Sequence, residues 1–166
     1  RHFNVPECIE WGELAIQPFH VYHDAVEPCG FVFRGIGEHT NEPVALGYAT
    51  DVGRVSRSLL RALSTCRGVV IESNHDTTML LDGPYPYLLK TRISSPTGHL
   101  SNQDAAQLIC SLVEKGNLQV VLLAHLSQEN NRPDLAIDTV KLHLNGLFNC
   151  EVLASFPDRP SELVSL

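Results

Sequence analysis

The chain has 166 residues, 43% of them hydrophobic and 19% charged. That suits one domain of about 150 residues with its own core, and excludes a disordered or fibrous chain. Twelve Lys and Arg against 19 Asp and Glu leave a formal net charge of −7, which argues against a general polyanion binder. The longest apolar run, Val120 to Ala124, falls far short of the roughly 20 residues that span a bilayer, so no membrane partner is expected. Five scattered cysteines without a Cys-x-x-Cys pair read as reduced, mostly buried thiols of a cytoplasmic protein. No leader or lipidation motif is visible.

Residues 13–21 are a strand candidate with partial alternation, and residues 30–34, rich in aromatic and β-branched side chains, are a second. A polar, glycine-bearing turn over residues 35–43 leads to a third strand at residues 44–50, which implies a hairpin. A helix over residues 55–65 carries Val55, Leu59, Leu60, Ala62 and Leu63 on one stripe. The unbroken apolar runs 69–72 and 120–124 read as strands buried on both faces. Between them, residues 87–93 form a short helix begun through Pro86, and residues 103–115 the clearest one. The latter has Ser101 or Asn102 as cap, Asp104 in its first turn and Gly116 closing it. A helix over residues 133–145 and a late edge strand at residues 151–154 complete the order. An antiparallel start followed by strand–helix alternation points to the α/β class, a mixed sheet with flanking helices. That domain is expected over residues 1–154, with a loosely structured tail over 155–166.

The chain is rich in histidine, with eight, and several stand beside Asp or Asn where an apolar run ends. Ligands gather at such ends in open α/β sheets. His23 and Asp24 follow the first strand; either a metal ligand or a polar turn explains them. Asp51 follows the third strand, where a carboxylate can bridge cations or cap a helix. Glu72, Asn74, His75 and Asp76 follow a buried strand, and burying such groups is costly unless they are paired or metal-bound. His99 precedes the clearest helix, and His125 follows five apolar residues; a carbonyl or a cation could satisfy each. Imidazole and carboxylate together suit zinc, manganese or iron. The patterns Gly-x-Ser-x-Gly, His-Glu-x-x-His, the P-loop and Gly-x-Gly-x-x-Gly are absent.

The strings HDAVEPCGF (23–31), TDVG (50–53), IESNHD (71–76), YPYLLKTRI (85–93), GHLSNQDAA (98–106) and LAHLSQENNRPDLA (123–136) occur in this order. Together they resemble the YycJ/VicX-type branch of the metallo-β-lactamase fold, over residues 18–136. More distantly the chain is similar to the tRNA 3′-processing endonucleases of that fold. The resemblance implies the C-terminal half to two-thirds of an αββα sandwich. It implies a metal-dependent hydrolase of phosphodiesters, a DNA exonuclease, using two divalent ions (Zn or Mn) and a bridging hydroxide. Its substrate would be nucleic acid, DNA in preference to RNA.

Carried onto this chain, His23, Asp51 and His125 are the implied metal ligands, with Asp51 bridging. His99 joins Asp51 as catalytic, protonating the leaving oxygen. Glu72, Asn74, His75, Asp76, Asn102 and Asn130 are implied to orient ligands or face substrate. Lys90, Arg92 and Arg132 are candidate phosphate contacts.

The fold's His-x-His-x-Asp-His signature is absent, and His20-x-x-His23-Asp24 does not replace it. With Arg1 as first residue, the expectation is the C-terminal part of a longer protein. Alone it would be inactive, and it would expose an apolar sheet face open to self-association or to a missing N-terminal half. The alternative is a non-catalytic or metal-free fragment or binding module of the same fold.

Overall fold

The computed structural model describes residues 3–37, 41–146 and 149–166; Arg1 and the tip of the polar turn, residues 38–40, lie outside them. The aromatic and β-branched run expected at residues 30–34 extends to a full strand, β3 (Cys29–Ile36). It pairs antiparallel with β2 (Leu14–His20) on one side and β4 (Pro43–Ala49) on the other. A short strand that periodicity missed, β1 (Ile9–Trp11), adds to the outer edge. From β4 onward the pairing is parallel, through β5 (Gly68–Glu72), β6 (Val120–Ala124) and β7 (Glu151–Ala154). The seven strands lie in sequence order across the sheet, with β7 on the expected edge.

Each parallel step carries a helix. Helix α1 (Arg57–Leu63) links β4 to β5, α4 (Asn102–Val113) follows before β6, and α5 (Pro133–Leu144) leads to β7. Crossovers of one hand, all stepping the same way, put these helices on one face. There Leu59, Leu63, Ile109, Leu112, Val140 and Leu144 close over Ala49, Val69, Ile71, Val121 and Leu123. Caps follow the sequence: Ser56 accepts from Leu59 N at 3.1 Å, and Ser101 from Asp104 N at 3.1 Å. Asn145, left-handed at φ 50°, ends α5. Two short helices lie between β5 and α4. Helix α3 (Tyr87–Ile93) was expected; α2 (Thr77–Asp82), capped by Asp76, was not.

The opposite face corrects one expectation. Val70 and Leu122 are only half-buried, so β5 and β6 are covered fully on one side only. Register aligns Phe31, Tyr48, Val70, Leu122 and Leu153 in one row and Phe33, Leu46 and Gly68 in the next. Among the described residues the end of the tail lies over part of this face. Leu166 sits so close to Gly68 that a Cβ there would come within 2.8 Å of it. The tail forms neither helix nor strand. No described helix is long and apolar enough to cross a membrane.

Candidate metal centre

Strands β2, β4, β5 and β6 all run the same way, so their C-terminal ends share one rim of the sheet. Register then does what sequence spacing cannot. Ala49 pairs with Ile71 and Glu72 with Ala124, which brings the residues after β4 and β6 beside the end of β5. His23 arrives beyond β2, and His99 just ahead of α4.

Glu72 is the centre of the arrangement, with no exposed surface. One carboxylate oxygen accepts the backbone N–H of Val52 at 2.8 Å and of Leu100 at 3.2 Å. The other accepts the Nδ1–H of His99 at 2.8 Å and of His125 at 2.5 Å. Burial alone would push this carboxyl up; the bonds from His125, His99 and Val52 outweigh it and hold it near 2. The same bond to Glu72 raises His125 above the usual imidazole range, against the pull of burial. His23 directs Nδ1 to the carbonyl of Gly98 at 2.9 Å. The Nδ1 atoms of all three face oxygens that can only accept, so each carries a proton there.

Asp51 stands in front, about half exposed. Its Oδ1 lies 3.5 Å from His23 Nε2, 3.8 Å from His125 Nδ1 and 3.9 Å from His99 Nδ1. The rings of His23 and His125 flank that of His99, with centroids 5.0 and 5.2 Å away. Ligand-type atoms of Asp51, Glu72, His99 and His125 fall within 4.8 Å of one another. Four donors already fill the oxygens of Glu72, so its place is behind the imidazoles, orienting them. Asp51 and the imidazoles of His23, His99 and His125 supply the donor types that a divalent ion of the zinc or manganese kind takes.

Two of these residues share a backbone uncommon outside glycine, found besides them at Asn41 and Asn145 among the described residues. Asp51 and His125 both adopt left-handed conformations, with φ 54° and 56°. Such a backbone costs about 1–3 kcal/mol in a non-glycine residue and concentrates at functional sites. Asn74 helps to hold one of them, donating its side-chain N–H to the His125 carbonyl at 2.9 Å.

The structure thus brings His23, Asp51, Glu72, Asn74, His99 and His125 together, and leaves other predicted site residues elsewhere. Asn102 and Asn131 form a reciprocal buried amide pair at 2.9 Å, with Ser73 donating to Asn102 at 2.7 Å, so Asn102 ties loops and not a ligand. Asp76 caps α2 through Met79 N at 2.9 Å. His75 and Asn130 are buried outside the cleft lining; burial lowers the His75 pKa and so favours its neutral form. Lys90 turns to the carbonyl of Leu81 at 2.5 Å, and Arg132 lies within 3.5 Å of Asp134. Arg92 alone of the three cations lines the cleft, held by Asp24 at 2.6 Å, a bond that keeps the Asp24 carboxyl low.

Sequence reasoning passed over Tyr85, which lines the cleft, and Asn131. The repeated Asn at 130–131 was the only sign of the latter.

No family model matches the chain. Over 134 residues, 81% of its length, it is 37% identical to the exodeoxyribonuclease YycJ of Bacillus anthracis, of which it covers 48%. Over 135 residues it is 36% identical to the exodeoxyribonuclease WalJ of Streptococcus pneumoniae, covering 81% of this chain and 47% of that one. It therefore spans about half the length of these relatives. The structure also resembles that of the metallo-β-lactamase fold protein YhfI from Bacillus subtilis, with a TM-score of 0.64 at 14% identity, over 92% of this chain and 50% of that one. The chain has the metallo-β-lactamase fold and is, over four-fifths of its length, a relative of the exodeoxyribonucleases YycJ and WalJ.

Proposed function

We propose that the chain is the phosphate-facing part of a metal-dependent phosphodiester hydrolase, an exodeoxyribonuclease that acts on DNA in the cytoplasm. The observation that carries the reading is the half-exposed Asp51 carboxylate set among three imidazoles whose tautomers are fixed from behind. The five free thiols fit a reducing compartment.

In this reading His23, Asp51 and His125 hold divalent ions, zinc or manganese, together with ligands from the rest of the longer protein. Bound ions supply positive charge that polarises the phosphoryl oxygens and makes water a nucleophile at neutral pH. Glu72 keeps the rings of His99 and His125 in one orientation and compensates the charge that a protonated ring would carry. Protonated at Nε2 as well as Nδ1, His99, between the other two rings, passes the Nε2 proton to the leaving oxygen as that bond breaks, while Glu72 keeps the Nδ1–H. Arg92, at the mouth, meets the phosphate backbone. The overall acidity is no obstacle, because ions provide the local positive charge.

One observation favours the second reading, a metal-free binding module: Glu72 engages the Nδ1 atoms of both His99 and His125. Nucleotide release from end-labelled DNA by the longer protein that carries this chain, with zinc or manganese, separates the two. Release that stops with chelation, and in Asp51→Ala, supports the hydrolase. Release that survives either treatment contradicts it.

A further inference from the structure

Beside the histidine cluster, a short helix lines the cleft with a half-buried apolar stripe. Tyr85, Leu89 and Ile93 recur every fourth residue, so they share one side of α3 and the residue leading to it. Pro86 biases Tyr85 to an extended backbone. No residue of α3 is buried, and all three side chains line the cleft that opens on His23, His99 and His125. The cleft encloses 590 Å³, within the roughly 300–1,000 Å³ of small-ligand sites. A helix that turns its apolar face to such a cleft, and not to the core, asks for an apolar or aromatic part of the ligand. The same cleft also has a polar lining from the loop after β6. Gln128 and Glu129 line it, and their side chains have no partner among the described residues.

The phosphate and sugar of a phosphodiester are polar throughout. Its base alone combines an apolar face with a hydrogen-bonding edge. We propose that this wall is a nucleobase subsite: the base of the substrate's terminal nucleotide stacks on Tyr85, against Leu89 and Ile93, and turns its edge to Gln128 and Glu129. The inference rests on the phosphodiesterase reading above and narrows its substrate. A paired terminal base has its hydrogen-bonding edge covered by its partner, so the terminal nucleotide is unpaired when that edge meets Gln128 and Glu129. The Arg92–Asp24 pair links α3 to the residue that follows His23.

The test is fluorescence anisotropy on the longer protein that carries this chain, with zinc present. The probe is a hydrolysis-resistant phosphorothioate DNA duplex with one unpaired terminal nucleotide; a twin probe is abasic at that nucleotide. The abasic probe is expected to bind about five- to a hundredfold more weakly. Tyr85→Ala is expected to weaken the base-bearing probe by a similar factor and the abasic probe less than about twofold, with Tyr85→Phe close to the parent protein. Equal binding of the two probes, or a Tyr85→Ala loss that falls on both alike, overturns the subsite and leaves the phosphodiesterase reading standing. Binding of neither probe contradicts that reading itself, and the subsite with it.

Discussion

Replacing Glu72 with Gln keeps the shape of the side chain and removes its charge, so no cavity complicates the result. The amide retains one oxygen for the N–H groups of Val52 and Leu100, but its NH₂ then faces two imidazole N–H donors. A carboxyl held near 2 against an ordinary 4.5 favours its charged form by about 3 kcal/mol. Removing one partner of a buried charged group costs about 3–5 kcal/mol. The two routes agree, so Glu72→Gln is expected to destabilise the metal-free chain by about 3–5 kcal/mol.

At about 2–4 °C per kcal/mol for a chain of this size, that lowers Tm by about 6–20 °C. The sign with pH follows from the two shifts. The Glu72 carboxyl is lowered, so its contribution is complete above pH 4.5 and fades as pH falls towards 2. His125 is raised, so its share is complete below pH 6.5 and is lost as pH rises through its folded-state value. The gap between parent and variant is therefore widest between about pH 4.5 and 6.5. Urea denaturation across pH 4–8 measures it. A gap below about 1 kcal/mol, or one that grows as pH rises past 6.5, refutes the reasoning.

Asp51→Asn keeps a residue that tolerates the left-handed backbone. It is expected to leave stability within about 0.5 kcal/mol while weakening zinc or manganese affinity at least about tenfold, read by titration calorimetry. Gly98→Ala places a Cβ against the carbonyls of Arg92 and Ile93. Strain of about 1–3 kcal/mol is expected, seen as a lower urea midpoint. Removing residues 161–166 uncovers the side of Leu46, Val70 and Leu122 that they shield. Light scattering is expected to show more self-association than in the full chain, and unchanged scattering would argue that this face is not adhesive.

The sheet and its helical layer were legible because their signals are local. Aromatic and β-branched runs marked β3 and β4, while Ser101, Gly116 and Pro133 bounded α4 and α5. Strand β1 has only three residues, too few for alternation to register, and α2 hides in a polar stretch where Asp76 as cap was its only sign. Val70 and Leu122 read as doubly buried because an apolar run does not say whether a second layer covers it.

The site was legible as residue types and not as geometry. His23, Asp51, His99 and His125 stood out at the ends of apolar runs. That Glu72 would bond two imidazoles at once depends on parallel register between β5 and β6, which no spacing in the sequence encodes. Asn102 looked like a site residue because it follows His99 closely, yet its position on α4 turns it to Asn131.

The proposed function requires Asp51 and the imidazoles around it to hold a metal ion. The most direct measurement is metal content after equilibrium dialysis of the longer protein that carries this chain against zinc or manganese, beside Asp51→Ala and His125→Ala. The parent protein is expected to retain metal, and each variant to lose most of it. Equal retention in all three, or none in the parent protein, would contradict the account.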